Sequence, residues 1–294
     1  MHSTVIHMLF PYLTLGLLIA GLFVIRGRIT LAALLFAQLI FAFVQGIINP
    51  TGLFAVAAFW GLCTLHWRNP SSKEWLNKVR VLVLVVLAIA FASHMIPGFH
   101  NLRLFSGISL SPASVPFTMY LNFDKTIAAV IMVMASGLFI KQTSPFGAKA
   151  LRDTVLIATA CIALLIPLAV FSGYVGYEPK FPESFWLWAF NNLYFVCFAE
   201  EVIFRGVIQS NLMSLANRWK LSPFFPIFIS ALLLAVALPG HRQGGLIFIA
   251  FATVAGLFYG YAYHRTKRLE SALLVHFAVN TAHFLLFSYP MLAR

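Results

Sequence analysis

The sequence predicts an all-α, polytopic integral membrane protein with about ten transmembrane helices (eight to ten). Three observations lead there. The 294-residue chain is 61 % hydrophobic and 10 % charged, against roughly 25 % charged in an average soluble protein, and its mean hydropathy is +0.90. Apolar runs of about 18 residues or more recur, each long enough to cross about 30 Å of hydrocarbon as a helix. The runs are continuous rather than alternating, which excludes a transmembrane barrel.

The first run, 8–25, follows a segment, Met1 to His7, without a basic n-region or a convincing cleavage site, so it reads as a retained span. Runs at 29–48 and 51–66 come next, and Pro50 with Gly52 predicts a tight connection between them. A fourth run, 79–97, closes an N-terminal accessory region, 1–97. An outer loop, 98–123, carries Pro112, Pro116, serines and glycines, with room for a re-entrant or interfacial piece. The remaining runs, 124–141, 153–172, 185–209, 223–241, 244–263 and 270–288, form a core, 124–294. Within it, Glu178, Pro179, Lys180 and Pro182 mark a polar connector. No period of 20–50 residues signals a repeat array.

Charge placement orients the chain. With the N-terminus outside, the inner loops hold fourteen Lys and Arg and the outer loops and tail five, with Arg205 inside a span. That bias is what the positive-inside rule expects, so both termini are predicted outside a bacterial inner (cytoplasmic) membrane. The net charge of +12 is spread over short loops, which excludes a basic domain for gripping nucleic acid. Cys63, Cys161 and Cys197 all lie in apolar runs, without metal-ligand spacing or a disulfide framework, and read as small packed hydrophobes.

The chemistry concentrates after Phe185. Glu200 and Glu201 are adjacent acids inside an apolar run, whereas the other six acids fall in loops or at run ends. A carboxylate at bilayer depth costs several kcal/mol, so it marks a functional site by default. Glu201 and Arg205, at i and i+4, share a helix face and predict an ion pair. Glu200 points about 100° away and is available to a cavity. His241 follows Pro239-Gly240 at a run end, where a helix break invites polar surroundings. His276 and Asn280 share one face of the last run, and His283 continues that stripe as an auxiliary position. Structural readings stand beside each: a buried ion-pair knot for Glu201–Arg205, an interfacial histidine at 241, and interhelical hydrogen bonding for the stripe.

Jointly, a carboxylate with an imidazole can activate water, and a second imidazole with an amide can stabilise an oxyanion. These are parts of a peptide hydrolase. Glu200-Glu201-x-x-x-Arg205, then His241, then His276-x-x-x-Asn280 resembles the three motifs of the CPBP family, the CAAX-protease and bacteriocin-processing (Abi) intramembrane endopeptidases. The resemblance covers residues 184–288. It implies that Glu200 and His241 activate the attacking water, that Glu201 and Arg205 hold the helices, and that His276 and Asn280 form the oxyanion site, with no cofactor. Ala237 departs from the family pattern, which has phenylalanine four residues before the second-motif histidine. Along straight helices, Glu200 and His276 lie about 14 and 9 Å from the inner side and His241 about 27 Å. The three meet only if the eighth run breaks at Pro239-Gly240, tilts, or starts deeper.

Rival readings use the same residues. A zinc metalloprotease would take Glu200, His241 and His276 as ligands with an open fourth position, although the chain has no His-Glu-x-x-His. A proton-coupled transporter would relay protons through buried acid and histidines, against the lack of inverted repeats. A non-catalytic membrane scaffold would keep the helices without turnover. Serine and aspartyl intramembrane proteases fit poorly: Gly107-Ile108-Ser109 lacks the following glycine, and neither Asp124 nor Asp153 lies well inside an apolar run. The expected partners are the bilayer and a membrane-associated protein or peptide: a prenylated C-terminus, a bacteriocin leader or a sorting helix. The chain carries no C-terminal prenylation signal of its own.

Overall fold

The computed structural model of the chain describes residues 2–139, 145–238 and 240–293. Among these residues the helices are α1 His2–Val24, α2 Arg28–Val44, α3 Pro50–Trp67, α4 Glu74–Ala92, α5 Phe123–Ser136, α6 Ala148–Phe171, α7 Phe185–Arg218, α8 Phe224–Ala237, α9 His241–Thr266 and α10 Leu269–Leu286. Each overlaps one predicted apolar run. Among the described residues α4, α6, α7, α9 and α10 are long and apolar enough to span a bilayer. Leu9–Val24, Arg28–Val44 and Phe224–Ala237 are apolar but shorter than 18 residues. α5 ends at Gly137, whose left-handed φ of 67° stops the helix; the predicted run continues to 140–141, outside the described residues.

The described residues are mainly helical, as expected, and the outer loop adds a small sheet. Leu102–Ile108 (β1) and Phe117–Leu121 (β2) pair as a two-stranded sheet. Burial alternates along Phe117-Thr118-Met119-Tyr120-Leu121, the period of two that a strand imposes. Thr118 Oγ1 accepts from the Gly107 N–H at 3.0 Å.

Two compact units divide the chain. The first comprises Met1–Arg103, Tyr120–Pro145 and Tyr194–Ala199. Here α5 is buried from Phe123 to Ala135, as a helix apolar on all sides should be, and it packs against α1, α3 and α4. The surrounding helices turn in stripes at helical spacing: Leu31, Leu35, Gln38 and Ala42 on α2, and Gly52, Val56, Phe59 and Cys63 on α3. The α2–α3 connection is tight, as predicted. Asn49 caps α3 by accepting from the Gly52 N–H at 3.1 Å, and a Cβ on Gly52 would sit 2.5 Å from the Gly98 carbonyl. Asp124 is buried in this unit, 2.7 Å from His94 Nδ1.

The second unit comprises Leu104–Met119, Phe146–Leu193 and Glu200–Arg294. In it α6, α9 and α10 pack on one another, α8 packs on α9, and α7 touches α8, α9 and α10. Thr154 donates to Ser271 at 2.8 Å between α6 and α10. The spanning window of α7 is 67 % buried, against 17–39 % for the other four spanning helices. That makes α7 the interior helix, where polar side chains are tolerated. Two π-helical segments, Asn192–Cys197 and Val202–Gln209, bracket Phe198–Glu201. Such wide turns inside α-helices occur often at functional sites.

Candidate active site

The site is built on α7, and α7 is fixed to α9 by a repeated bond. Arg205 donates Nη2 to the Gly256 carbonyl at 2.8 Å, and Gln209 donates Nε2 to the Gly260 carbonyl at 2.9 Å. Two donors four residues apart thus meet two carbonyls four residues apart. Glycine is required for this approach: a Cβ on Gly256 would lie 2.9 Å from Ala231 Cβ and 3.1 Å from Arg205 Nη2. Small residues four apart let helices in lipid come this close.

Glu201 and Arg205 are both 0 % exposed. Arg205 Nε lies 3.2 Å from Glu201 Oε2 as an ion-pair contact, and Nη1 lies 3.4 Å from Oε1. The predicted ion pair is therefore present. Its carboxylate has a second partner that sequence spacing did not reveal. His276 Nδ1 lies 2.8 Å from Glu201 Oε1, bringing α10 onto α7. An ionised carboxylate only accepts, so Nδ1 carries the proton and Nε2 is the nitrogen left for chemistry. Tyr259 stacks on the His276 ring at 4.4 Å and 15°, and the Arg205 guanidinium carbon lies 5.5 Å from the Tyr259 ring centre. The imidazole is held on an edge and a face.

One turn further along α10, Asn280 donates Nδ2 to Asn192 Oδ1 at 3.2 Å. The α10 stripe therefore faces α7, with 276 opposite 201 and 280 opposite 192, an antiparallel arrangement. Asn192 is 6 % exposed and Glu200 4 %. Asn192, Tyr259 and Gly256 were missed in the sequence. The Asn191-Asn192 pair inside the same apolar run as the two acids was the available signal.

His283, the auxiliary candidate, makes a different contact. His283 lies against Tyr289, ring centres 5.0 Å apart, and its Nε2 is buried without a hydrogen-bond partner among the described residues. α8 ends at the extended Leu238, and His241 opens a short helical turn that the non-helical Gly245 separates from the rest of α9. The His241 side chain, like Pro239, lies outside the described residues. The connector before α7 docks onto the end of α10, where Lys180 Nζ donates to the Phe287 carbonyl. Burial pushes the Lys180 ammonium below its usual range, with Glu178 opposing that shift. Among the described residues no three His, Cys, Asp or Glu side chains gather as a metal site.

Residues 182–282 match the family model described as type II CAAX prenyl endopeptidase Rce1-like. This stretch is thus similar to the CAAX-protease family. The match takes in Glu200, Glu201, Arg205, His241, His276 and Asn280, so the resemblance read from the three motifs is borne out. No curated protein and no solved structure matches the chain significantly. The matched stretch contains Glu201 and His276, which the structure joins.

Proposed function

We propose that the chain is an intramembrane endopeptidase that hydrolyses a peptide bond near the C-terminus of a prenylated, membrane-anchored substrate. The prenylated substrate class rests on the description of the matched family. The observation that carries the mechanism is the His276–Glu201 bond at 2.8 Å. It engages Glu201 with both His276 and Arg205, which supports reading Glu201 as positioning and Glu200 as the group that transfers the proton. The Glu200 carboxylate, with His241, takes a proton from water. The resulting hydroxide attacks the scissile carbonyl carbon, and the carbonyl π electrons move onto oxygen. His276 Nε2–H and Asn280 Nδ2–H stabilise that oxyanion. Collapse expels the amine, which receives the proton held by Glu200.

Charge supports the same allocation. Glu201 faces both the Arg205 guanidinium and the His276 ring in the buried site, so removing that carboxylate would leave the guanidinium without its partner. Glu201 stabilises the imidazolium, much as a buried aspartate does in a Ser-His-Asp triad. The alternative zinc reading needs Glu200, His241 and His276 together. It is separated by metal analysis of the purified protein and by chelation.

We also read α1, α2 and α8 as entering the bilayer beside the five long helices, giving eight spans, within the expected eight to ten, with both termini outside the inner membrane. The fourteen-to-five distribution of basic residues supports that orientation. The activity is tested with purified protein in liposomes and a farnesylated peptide, with products read by mass spectrometry. Release of the C-terminal fragment by the wild type and its loss in Glu200→Gln are expected. Equal release by both would remove Glu200 from the mechanism.

A further inference from the structure

The first unit holds an open cleft of about 190 Å³, lined by Arg28, Ile29, Ala32, Trp60, Arg68 and Met134 among others. Its walls are the start of α2, the face of α3 and the far end of α5. Arg28 and Arg68 are both exposed. Arg68 donates Nη2 to the Met134 carbonyl at 3.3 Å, which fixes its guanidinium at the rim. Arg28 has no hydrogen bond or ion pair among the described residues. The remainder of the lining is apolar, and Ile29 is 87 % exposed.

The first unit supplies no counter-charge. It carries nine Lys and Arg but only two acids, Glu74 and Asp124. Glu74 pairs with Lys78 at 3.2 Å, and Asp124 pairs with His94 at 2.7 Å. An anion for the two rim arginines must therefore come from outside the unit. Guanidinium groups favour phosphate, which they bind through planar pairs of N–H donors. The apolar lining asks for hydrocarbon on the same molecule. The cleft is smaller than the roughly 300–1,000 Å³ of sites that enclose a whole drug-sized ligand, which suits a headgroup seated inside with its chains lying over the helices.

We propose that this cleft seats one anionic phospholipid, its phosphate held by Arg28 and Arg68 and its acyl chains against Ile29, Ala32, Trp60 and Met134. Basic pockets between transmembrane helices bind acidic headgroups in this way. The site is independent of the proteolytic reading and concerns a unit outside the matched family segment, apart from Tyr194–Ala199.

Native mass spectrometry of the full chain in detergent tests it, with phosphatidylglycerol and phosphatidylcholine of matched chains added in equal amounts. One retained phosphatidylglycerol, favoured about tenfold over phosphatidylcholine, is expected. Arg28→Gln with Arg68→Gln should remove that preference, and Ala32→Trp, which fills the cleft without changing charge, should remove retention. Lys73→Gln, the loss of an exposed charge elsewhere in the unit, should leave both intact. Equal retention of the two lipids by the wild type would overturn the proposal whether or not any variant folds. So would retention unaffected by both cleft changes. Displacement of the lipid by millimolar inorganic phosphate alone would show an anion site rather than a lipid site, and would also overturn it.

Discussion

His276 Nδ1 lies 2.8 Å from Glu201 Oε1, so the second acid of the pair, not the first, holds the histidine of the last helix. One carboxylate thereby fixes Arg205 within α7 and His276 on α10. Glu201 is a positioning residue in this account, and its neighbour Glu200 is the base.

Glu201→Gln should destabilise the protein by about 3–5 kcal/mol, the usual cost of leaving a buried charge without its partner. Thermal unfolding in detergent measures this. Glu201→Gln combined with Arg205→Met should recover much of the loss, because no orphaned charge remains. A double variant as unstable as the single would contradict the ion-pair role.

Asn280→Ala should lower kcat about 10²–10³-fold with little change in KM, the signature of a lost oxyanion donor. Asn192→Ala removes only the group that orients the amide and should cost less. If Asn192→Ala proves the more damaging of the two, the assignment of Asn280 to the oxyanion is wrong.

Gly256→Ala should destabilise by about 1–3 kcal/mol through overpacking. The new methyl meets Ala231 Cβ at 2.9 Å and Arg205 Nη2 at 3.1 Å, so α8, α9 and α7 must shift together. Wild-type unfolding behaviour in this variant would show that the close helix approach is not needed.

Cleavage should survive exhaustive chelation, and the purified protein should hold less than stoichiometric zinc. Activity lost to a chelator and restored by added zinc would favour the metalloprotease reading with Glu200, His241 and His276.

The sequence made the helices legible because continuous apolar runs leave few alternatives in lipid. It made the Glu201–Arg205 pair legible because a spacing of four fixes two side chains on one face. Partners on different helices were another matter. Spacing on α10 placed His276 and Asn280 together but could not say which face of α7 they would meet, so both the Glu201 contact and the Asn192 contact went unread. The sheet of the outer loop was hidden for a different reason: prolines and glycines drew attention away from the alternation at 117–121. Among the described residues five helices are long and apolar enough to span a bilayer, which supports a membrane protein without fixing the number of crossings. Pro239-Gly240 did signal a break, and α9 begins just beyond it.

The central claim is that Glu200 transfers the proton that makes water a nucleophile. Comparison of new protein termini in membranes from cells expressing the wild type, Glu200→Gln or no protein tests it whatever the substrate turns out to be. The account predicts termini present with the wild type and absent from both other samples, with Glu200→Gln inserted at wild-type levels. The same termini at the same abundance with Glu200→Gln would contradict it.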